Sequence, residues 1–282
     1  MKLARFFFIF VIILTFTLNV QGTAQKKLRV FTYPKSPLAT WISIFYKLAK
    51  VADPQLLPNH FYVKGLDLDP KGNIFPKTGW LNIYKSSFPV KGATYDVLLN
   101  CEAKFDTCHS LNLVPKIMEI VVPKLKGGEY INAFIDCEPI NIQAPFVTGL
   151  VTSINTAGYG ASVYINPGKY SNSNRVFFDP LFQALSNNRK NNVCIATYQI
   201  SLIQPTQVII DRLEHQNIPY YICFDLIACN TQDLVTIIKG ISVHQTSPLF
   251  QGLSIYGYDN EKILFTDATV KMDLINTFYS IP

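Results

Sequence analysis

The sequence predicts an α/β protein folded as one (β/α)8 barrel of the TIM type, and three observations carry that prediction. Short, apolar, β-rich runs alternate with segments of helical spacing along most of the chain, the pattern of a parallel sheet with crossover helices. Most of the runs are continuously apolar, with no in/out alternation, as in strands buried on both faces. The strand candidates number eight in a chain of 282 residues, which suits a closed barrel better than an open doubly wound sheet.

The chain opens on a basic start, Met1-Lys-Leu-Ala-Arg5, then an apolar run from Phe6 to about Leu18, then small and polar residues to Ala24. These are the three regions of a secretory signal peptide. The run is shorter than the ~20 residues of a bilayer span. Residues 1–24 are therefore expected to be a cleaved leader and residues 25–282 the barrel domain. The expected location is secreted, either extracellular or in the lumen of a secretory or lysosomal compartment, with no membrane attachment after cleavage.

The strand candidates are Leu28–Tyr33, His60–Lys64, Tyr95–Glu102, Tyr130–Glu138, Ala161–Asn166, Val193–Gln199, Pro219–Asp225 and Gly252–Asp259. Helical spacing predicts helices over Leu38–Val51, Leu111–Leu125, Ala144–Ala157, Phe177–Asn187, Pro205–Gln216, Thr231–Val243 and Asp267–Tyr279. Gly158 sits where a glycine ends a helix, Pro205 where a first-turn proline is tolerated, and Asn230 or Thr231 where a helix is capped. Residues 65–94, rich in Pro, Gly and Lys, read as a long loop or small hairpin without a helix, an insertion of the kind that shapes a cleft.

The formal charge is +6, and loss of Lys2 and Arg5 with a leader would lower it to +4. The lysines are spread along the chain, which excludes a nucleic-acid footprint and is compatible with an anionic polymer. Six cysteines, Cys101, Cys108, Cys137, Cys194, Cys223 and Cys229, are disulfide candidates in an exported chain. Cys101/Cys108 and Cys223/Cys229 are spaced to close small loops, leaving Cys137 and Cys194 as a long-range pair or two thiols. Spacing alone leaves all pairings open. His60, His109, His215 and His244 have no paired ligand spacing, so surface or capping roles are expected. No metal site and no cofactor are expected. Asp67-Leu-Asp69-Pro-Lys-Gly72 reads as a turn in preference to a calcium loop.

The strongest chemical signal is Phe134-Ile-Asp136-Cys-Glu138-Pro139. Residues i and i+2 of a strand share a face, so Asp136 and Glu138 should stand side by side where barrels carry their active sites. Their like charges are expected to raise one pKa and leave an acid beside an ionised partner. Cys137 falls on the opposite face. Other polar strand ends supply expected substrate contacts: Tyr33, Glu102, Asn166, Tyr198, Gln199, Asp225, Tyr256 and Asp259.

The stretch from Phe134 through Ala157-Gly158-Tyr159-Gly160 and Val163-Tyr164-Ile-Asn166, with the later Cys194-Ile-Ala196-Thr-Tyr198, resembles the centre of glycoside hydrolase family 25, the lysozymes with a D-x-E strand. The resemblance implies muramidase-type hydrolysis of peptidoglycan, with Glu138 as general acid, Asp136 beside it and Tyr198 on the substrate. The first strand, Val30-Phe-Thr-Tyr33-Pro34, has no Asp where that family carries one. Asp136-Cys-Glu138, Tyr198 and Tyr256 are also similar to family 18 chitinases, although Ile131 and Phe134 stand where their signature has acids. Both resemblances imply a polysaccharide partner, either bacterial cell wall or chitin-like. The missing strand-1 Asp keeps open a third reading, a catalytically inactive secreted barrel that binds carbohydrate or signals.

Overall fold

A computed structural model describes residues 27–32, 59–88, 91–101, 111–138, 140–170, 175–225, 229–241 and 246–257. The expected leader, the helices expected at 38–51 and 267–279, His109 and His244 lie outside the described residues.

The strands are β1 (Lys27–Thr32), β2 (His60–Leu68), β3 (Ile74–Pro76), β4 (Thr94–Cys101), β5 (Asn132–Cys137), β6 (Gly160–Ile165), β7 (Asn192–Ala196), β8 (Tyr220–Asp225) and β9 (Phe250–Gly257). The described helices are α1 (Trp80–Ser87), α2 (Val114–Lys126), α3 (Ile140–Thr156), α4 (Arg175–Ser186), α5 (Ile203–His215) and α6 (Thr231–Ile241). Every strand except β3 pairs in parallel with its neighbours, and β1 meets both β9 and β2, with Val30 opposite Phe61. This is a closed eight-stranded parallel barrel with helices between strands, the predicted (β/α)8 architecture. Among the described residues, no helix is long and apolar enough to cross a membrane.

The strand alternation sorts side chains onto two faces. Val97, Leu99, Cys101, Ala133, Ile135, Cys137, Val163, Ile195 and Ile222 belong to the core between barrel and helices. Tyr62, Leu98, Phe134, Cys194, Tyr221 and Cys223 form a separate cluster inside the barrel, with Tyr164 and Tyr256 packed on it. Because both faces are buried, the strands look continuously apolar in sequence.

The 65–94 segment corrects the expectation of a helix-free insertion. The hairpin is real, since β3 runs antiparallel to β2, but α1 follows it and completes a βα unit. Leu81 and Tyr84 are buried on one side of α1, and Phe88 just after it stacks on Phe61 with ring centroids 4.7 Å apart. Three apolar anchors hold this short helix, and its Gly, Lys and Ser content hid it. Gly65 makes a bulge between β2 and β4. A Cβ there would stand 2.2 Å from Val97 Cγ2, so only glycine fits. The bulge shifts the phase of β2, so Lys64 before it and Asp67 after it meet at 3.0 Å.

Helix punctuation is as expected. Gly158 takes a positive φ of 88° after α3, and Asn230 Oδ1 accepts from the Asp233 amide at 2.9 Å to cap α6. Asp69 closes a turn, its Oδ1 accepting from the Lys71 and Asn73 amides at 2.9 Å each.

The histidine expectation fails at His60. It is 2% exposed, at the start of β2. Its Nε2 lies 3.0 Å from Asp96 Oδ2 and its Nδ1 2.7 Å from Thr94 Oγ1. Arg29 Nη1 reaches the same Asp96 oxygen at 3.2 Å. The inward register of β1, β2 and β4 forces these charges together, which local sequence does not reveal. His215, by contrast, is exposed in the last turn of α5.

Candidate active site

The site forms at the C-terminal mouth of the barrel, around β5. Ala133, Ile135 and Cys137 face the helices, so Phe134, Asp136 and Glu138 face inward by alternation. Asp136 is half-buried, and Glu138 stands exposed just beyond the strand. The Glu138 amide donates to the Cys101 carbonyl at 3.3 Å, extending the β4–β5 ladder. The barrel rim still removes enough water from the Glu138 carboxyl to raise its pKa, and Lys169 pulls it partly back. The expected cause was the like charge of Asp136. The cause of the upward shift is instead desolvation by burial.

Cys137 faces away from the cleft, as alternation requires, and forms a disulfide with its ladder partner Cys101. This overturns the expected Cys101/Cys108 loop, and Cys108 lies outside the described residues. The Cys223/Cys229 loop is overturned too, since neither residue forms a disulfide and both are buried, as is Cys194. Cys223 faces the barrel interior while Cys229 belongs to the helix-side core. The hydrogen bond with Cys194, then burial, holds the Cys223 thiol well above its usual pKa.

Tyr198 follows β7 and accepts a 2.8 Å hydrogen bond from Asn166 Nδ2 at the end of β6. Asn166 Oδ1 accepts from the Gly168 amide and caps the short turn bearing Lys169. Burial raises the Tyr198 pKa, with Glu138 and Asp225 adding to it and the Asn166 bond opposing. Tyr198, Asn166, Glu138 and Asp225 thus share one electrostatic neighbourhood. Tyr256 of β9 packs on the inner cluster. Gln199 does not join them. It is exposed on extended backbone directly after Tyr198, and so projects to the other side. Tyr33, Glu102 and Asp259 lie outside the described residues.

Other groups also stand at the mouth. Tyr164 is half-buried beside the carboxylates. Burial first, then Cys223, Asp136 and Glu138, push its pKa well above the ordinary tyrosine value. Asp67 is clamped by Lys64 at 3.0 Å and Lys77 at 3.2 Å, and Asn100 Nδ2 approaches it at 3.5 Å. Asn100 and Asp67 are polar strand ends that the sequence already sets at this mouth, whereas Tyr164 was missed as a site residue, and inward parity on β6 was the signal that could have marked it. The floor below is aromatic, with Phe134 stacked on Tyr62 at 3.9 Å. Among the described residues, no three His, Cys, Asp or Glu side chains gather as metal ligands.

No protein-family model matches this chain, and no curated protein sequence does. Solved structures are similar in fold. A Streptomyces coelicolor protein assigned as chitinase A matches with a TM-score of 0.54 at 9% identity, over 93% of this chain and 100% of its own. An endo-β-N-acetylglucosaminidase from Cordyceps militaris matches with a TM-score of 0.50 at 12% identity, over 92% of each chain. The protein XacCel5A, solved with cellopentaose, matches with a TM-score of 0.50 at 9% identity, over 90% of this chain and 99% of its own. At these identities the likeness is one of barrel fold.

Proposed function

We propose that this chain is a glycoside hydrolase acting on a polymer of N-acetylated amino sugars. The observation that carries the reading is the placement of Asp136 and Glu138 on the same inward wall at the C-terminal end of the fourth barrel strand. Two residues apart on a strand, their Cα atoms are about 6–7 Å apart. Both carboxylates therefore reach the scissile bond from one side. In a two-carboxylate glycosidase the second group works from the face opposite the acid or straddles the bond with it. A pair on one wall suits the substrate-assisted alternative, in which the sugar's own acetamido oxygen attacks the anomeric carbon.

In that reaction Glu138 donates its proton to the leaving glycosidic oxygen, and its raised pKa suits an acid that must hold the proton near working pH. Asp136 orients the acetamido group and balances the positive charge it acquires. Tyr198 and Asn166 bind sugar hydroxyls, and Tyr256 offers a ring face. Water then adds to the cyclised intermediate, with Glu138 taking back a proton.

A helix between β8 and β9 suits the chitinase-like form of this reading better than the lysozyme-like form, and the named activities of two structural neighbours, chitinase and endo-β-N-acetylglucosaminidase, point the same way. Secretion, from the basic and apolar leader at residues 1–24, would bring the enzyme to extracellular polymer. The second reading, a carbohydrate binder without turnover, draws on Phe134 standing beneath Asp136 where chitinase-like barrels have an acid.

The test is product release from chitin oligosaccharides and from peptidoglycan, by wild type and Glu138→Gln. Cleavage by wild type alone supports the proposal. Equal cleavage by both removes Glu138 from the chemistry, and binding without cleavage by either selects the second reading.

A further inference from the structure

On the inner wall of a barrel, a side chain is bordered by residues i−2 and i+2 of its own strand and by one side chain on each neighbouring strand. For Asp136 the lower neighbour is Phe134, whose ring is stacked on Tyr62 and gives no hydrogen bond. The upper neighbour is Glu138, whose proton the proposed reaction commits to the substrate. These are the two neighbours of Asp136 along its own strand.

The lateral neighbours are different in kind. Asn100 of β4 is the ladder partner of Asp136, and Asp67 of β2 is the ladder partner of Asn100. Three strands thus carry Asp67, Asn100 and Asp136 in one level row. Asn100 is 4% exposed, a depth at which an amide needs partners for its donors. One donor approaches Asp67 at 3.5 Å, and Asp67 is fixed by two lysines. An Asn amide has two N–H bonds, and the row places the carboxylate of Asp136 on its other flank. On β6, Phe134 pairs with Ser162 and Ile135 with Val163. The next step of that register sets Tyr164 level with Asp136, with its ring meeting Phe134 edge-on at 6.5 Å. The Tyr164 hydroxyl stays protonated in the field of both carboxylates, and a protonated phenol is a donor.

We propose that Asn100 and Tyr164 are positioning residues that grip the Asp136 carboxylate from its two sides. They hold it ionised and aimed into the mouth, above the aromatic floor of Phe134 and Tyr62. The lysine-clamped Asp67 fixes the Asn100 amide in turn, so the arrangement of this wall extends from β2 to β6. The function of this grip rests on the reading of Asp136 as the orienting carboxylate. The grip itself is a property of the free protein.

The experiment is a carboxyl ¹³C NMR titration of labelled Asp and Glu in wild type, Tyr164→Phe and Asn100→Leu, with Asp136→Asn used to assign the signal. Among the described residues, the other charges on this side of the mouth are Glu138 above Asp136, Lys169 beyond it, Asp225 near Tyr198, and Asp67, Lys64 and Lys77 past Asn100, and neither variant removes any of them. Losing a donor to the charged form raises a carboxyl pKa, so each substitution should move the Asp136 midpoint up by about 0.5–1 pH unit. Tyr164→Phe removes only a hydroxyl, and Asn100→Ala serves if Asn100→Leu fails to fold. On an amino-sugar substrate the same variants should lower kcat about ten-fold with KM little changed. Unmoved midpoints in both positions overturn the grip, whatever the protein hydrolyses. Shifted midpoints in a protein that cleaves nothing uphold the grip and overturn only the hydrolase reading.

Discussion

Asp96 Oδ2 lies 3.0 Å from His60 Nε2, and both side chains are sealed inside the barrel, at 0% and 2% exposure. Arg29 shares the same oxygen and donates through Nη2 to the Tyr221 hydroxyl at 2.6 Å. Its guanidinium also lies 3.8 Å from the Tyr221 ring centroid. The Asn132 amide donates to the other oxygen of Asp96 at 3.1 Å. One carboxylate therefore joins four strands at the end of the barrel opposite the proposed site.

Asp96→Asn should cost about 3–5 kcal/mol of stability, because it leaves the Arg29 guanidinium buried without its counter-charge. Burial alone would raise the Asp96 pKa, but His60, Arg29 and the Asn132 amide more than offset it, and the net direction is down. A carboxyl depressed in the folded state stabilises above its unfolded value of about 3.9, and this stability is lost as pH falls through the folded value. Chemical denaturation across the acid range should show wild type losing stability there and the variant losing less. Parallel curves would remove Asp96 from the acid sensitivity.

Glu138→Gln should lower turnover by about 10²–10⁴-fold, since it keeps the shape and removes the proton. Wild-type activity should fall on the alkaline side as Glu138 ionises. Lys169 lowers the Glu138 pKa, so Lys169→Ala should move that alkaline limb to higher pH. A limb that stays put would show that another group sets it.

Cys137→Ser should act on stability and leave the chemistry alone. The bond to Cys101 spans a sequence separation of 36, a loop length for which about 3–4 kcal/mol is expected. Both residues face the helix-side core. Thermal unfolding should therefore drop in temperature while turnover well below the transition is kept. Loss of turnover in a folded variant would mean that the disulfide shapes the mouth through the end of β5.

Gly160→Ala tests the packing at the start of β6. An added Cβ would lie 2.4 Å from Asn132 Oδ1 and 2.7 Å from the Lys190 backbone oxygen. Forced displacement of this kind costs about 1–3 kcal/mol. Denaturant titration reads it, and an unchanged midpoint would mean that the loop carrying Lys190 yields freely.

Export is tested by sequencing the N-terminus of secreted material, which should begin between Thr23 and Lys26. Material beginning at Met1 would overturn the leader.

The sequence by itself determined the fold class, because parallel strands buried on both faces must be apolar along their whole length, and that is visible without any contact. It also determined which face each β5 residue takes. Period-two alternation set Asp136 and Glu138 inward and Cys137 outward, and no later packing could change that parity without breaking the strand. Helix ends at Gly158 and Asn230 were legible because their causes are local.

Only the tertiary structure decided what meets across strands. Cys101 bonds Cys137 because their strands are neighbours in register, whereas the nearer Cys223 and Cys229 stand on opposite sides of the barrel wall. His60, Arg29 and Asp96 become one buried cluster through barrel closure between β1 and β2. Burial at the rim, not the neighbouring charge of Asp136, raises the Glu138 pKa. Each of these depends on the register and closure of distant segments, and a linear pattern of residues carries no information about the distance between strands it has not yet brought together.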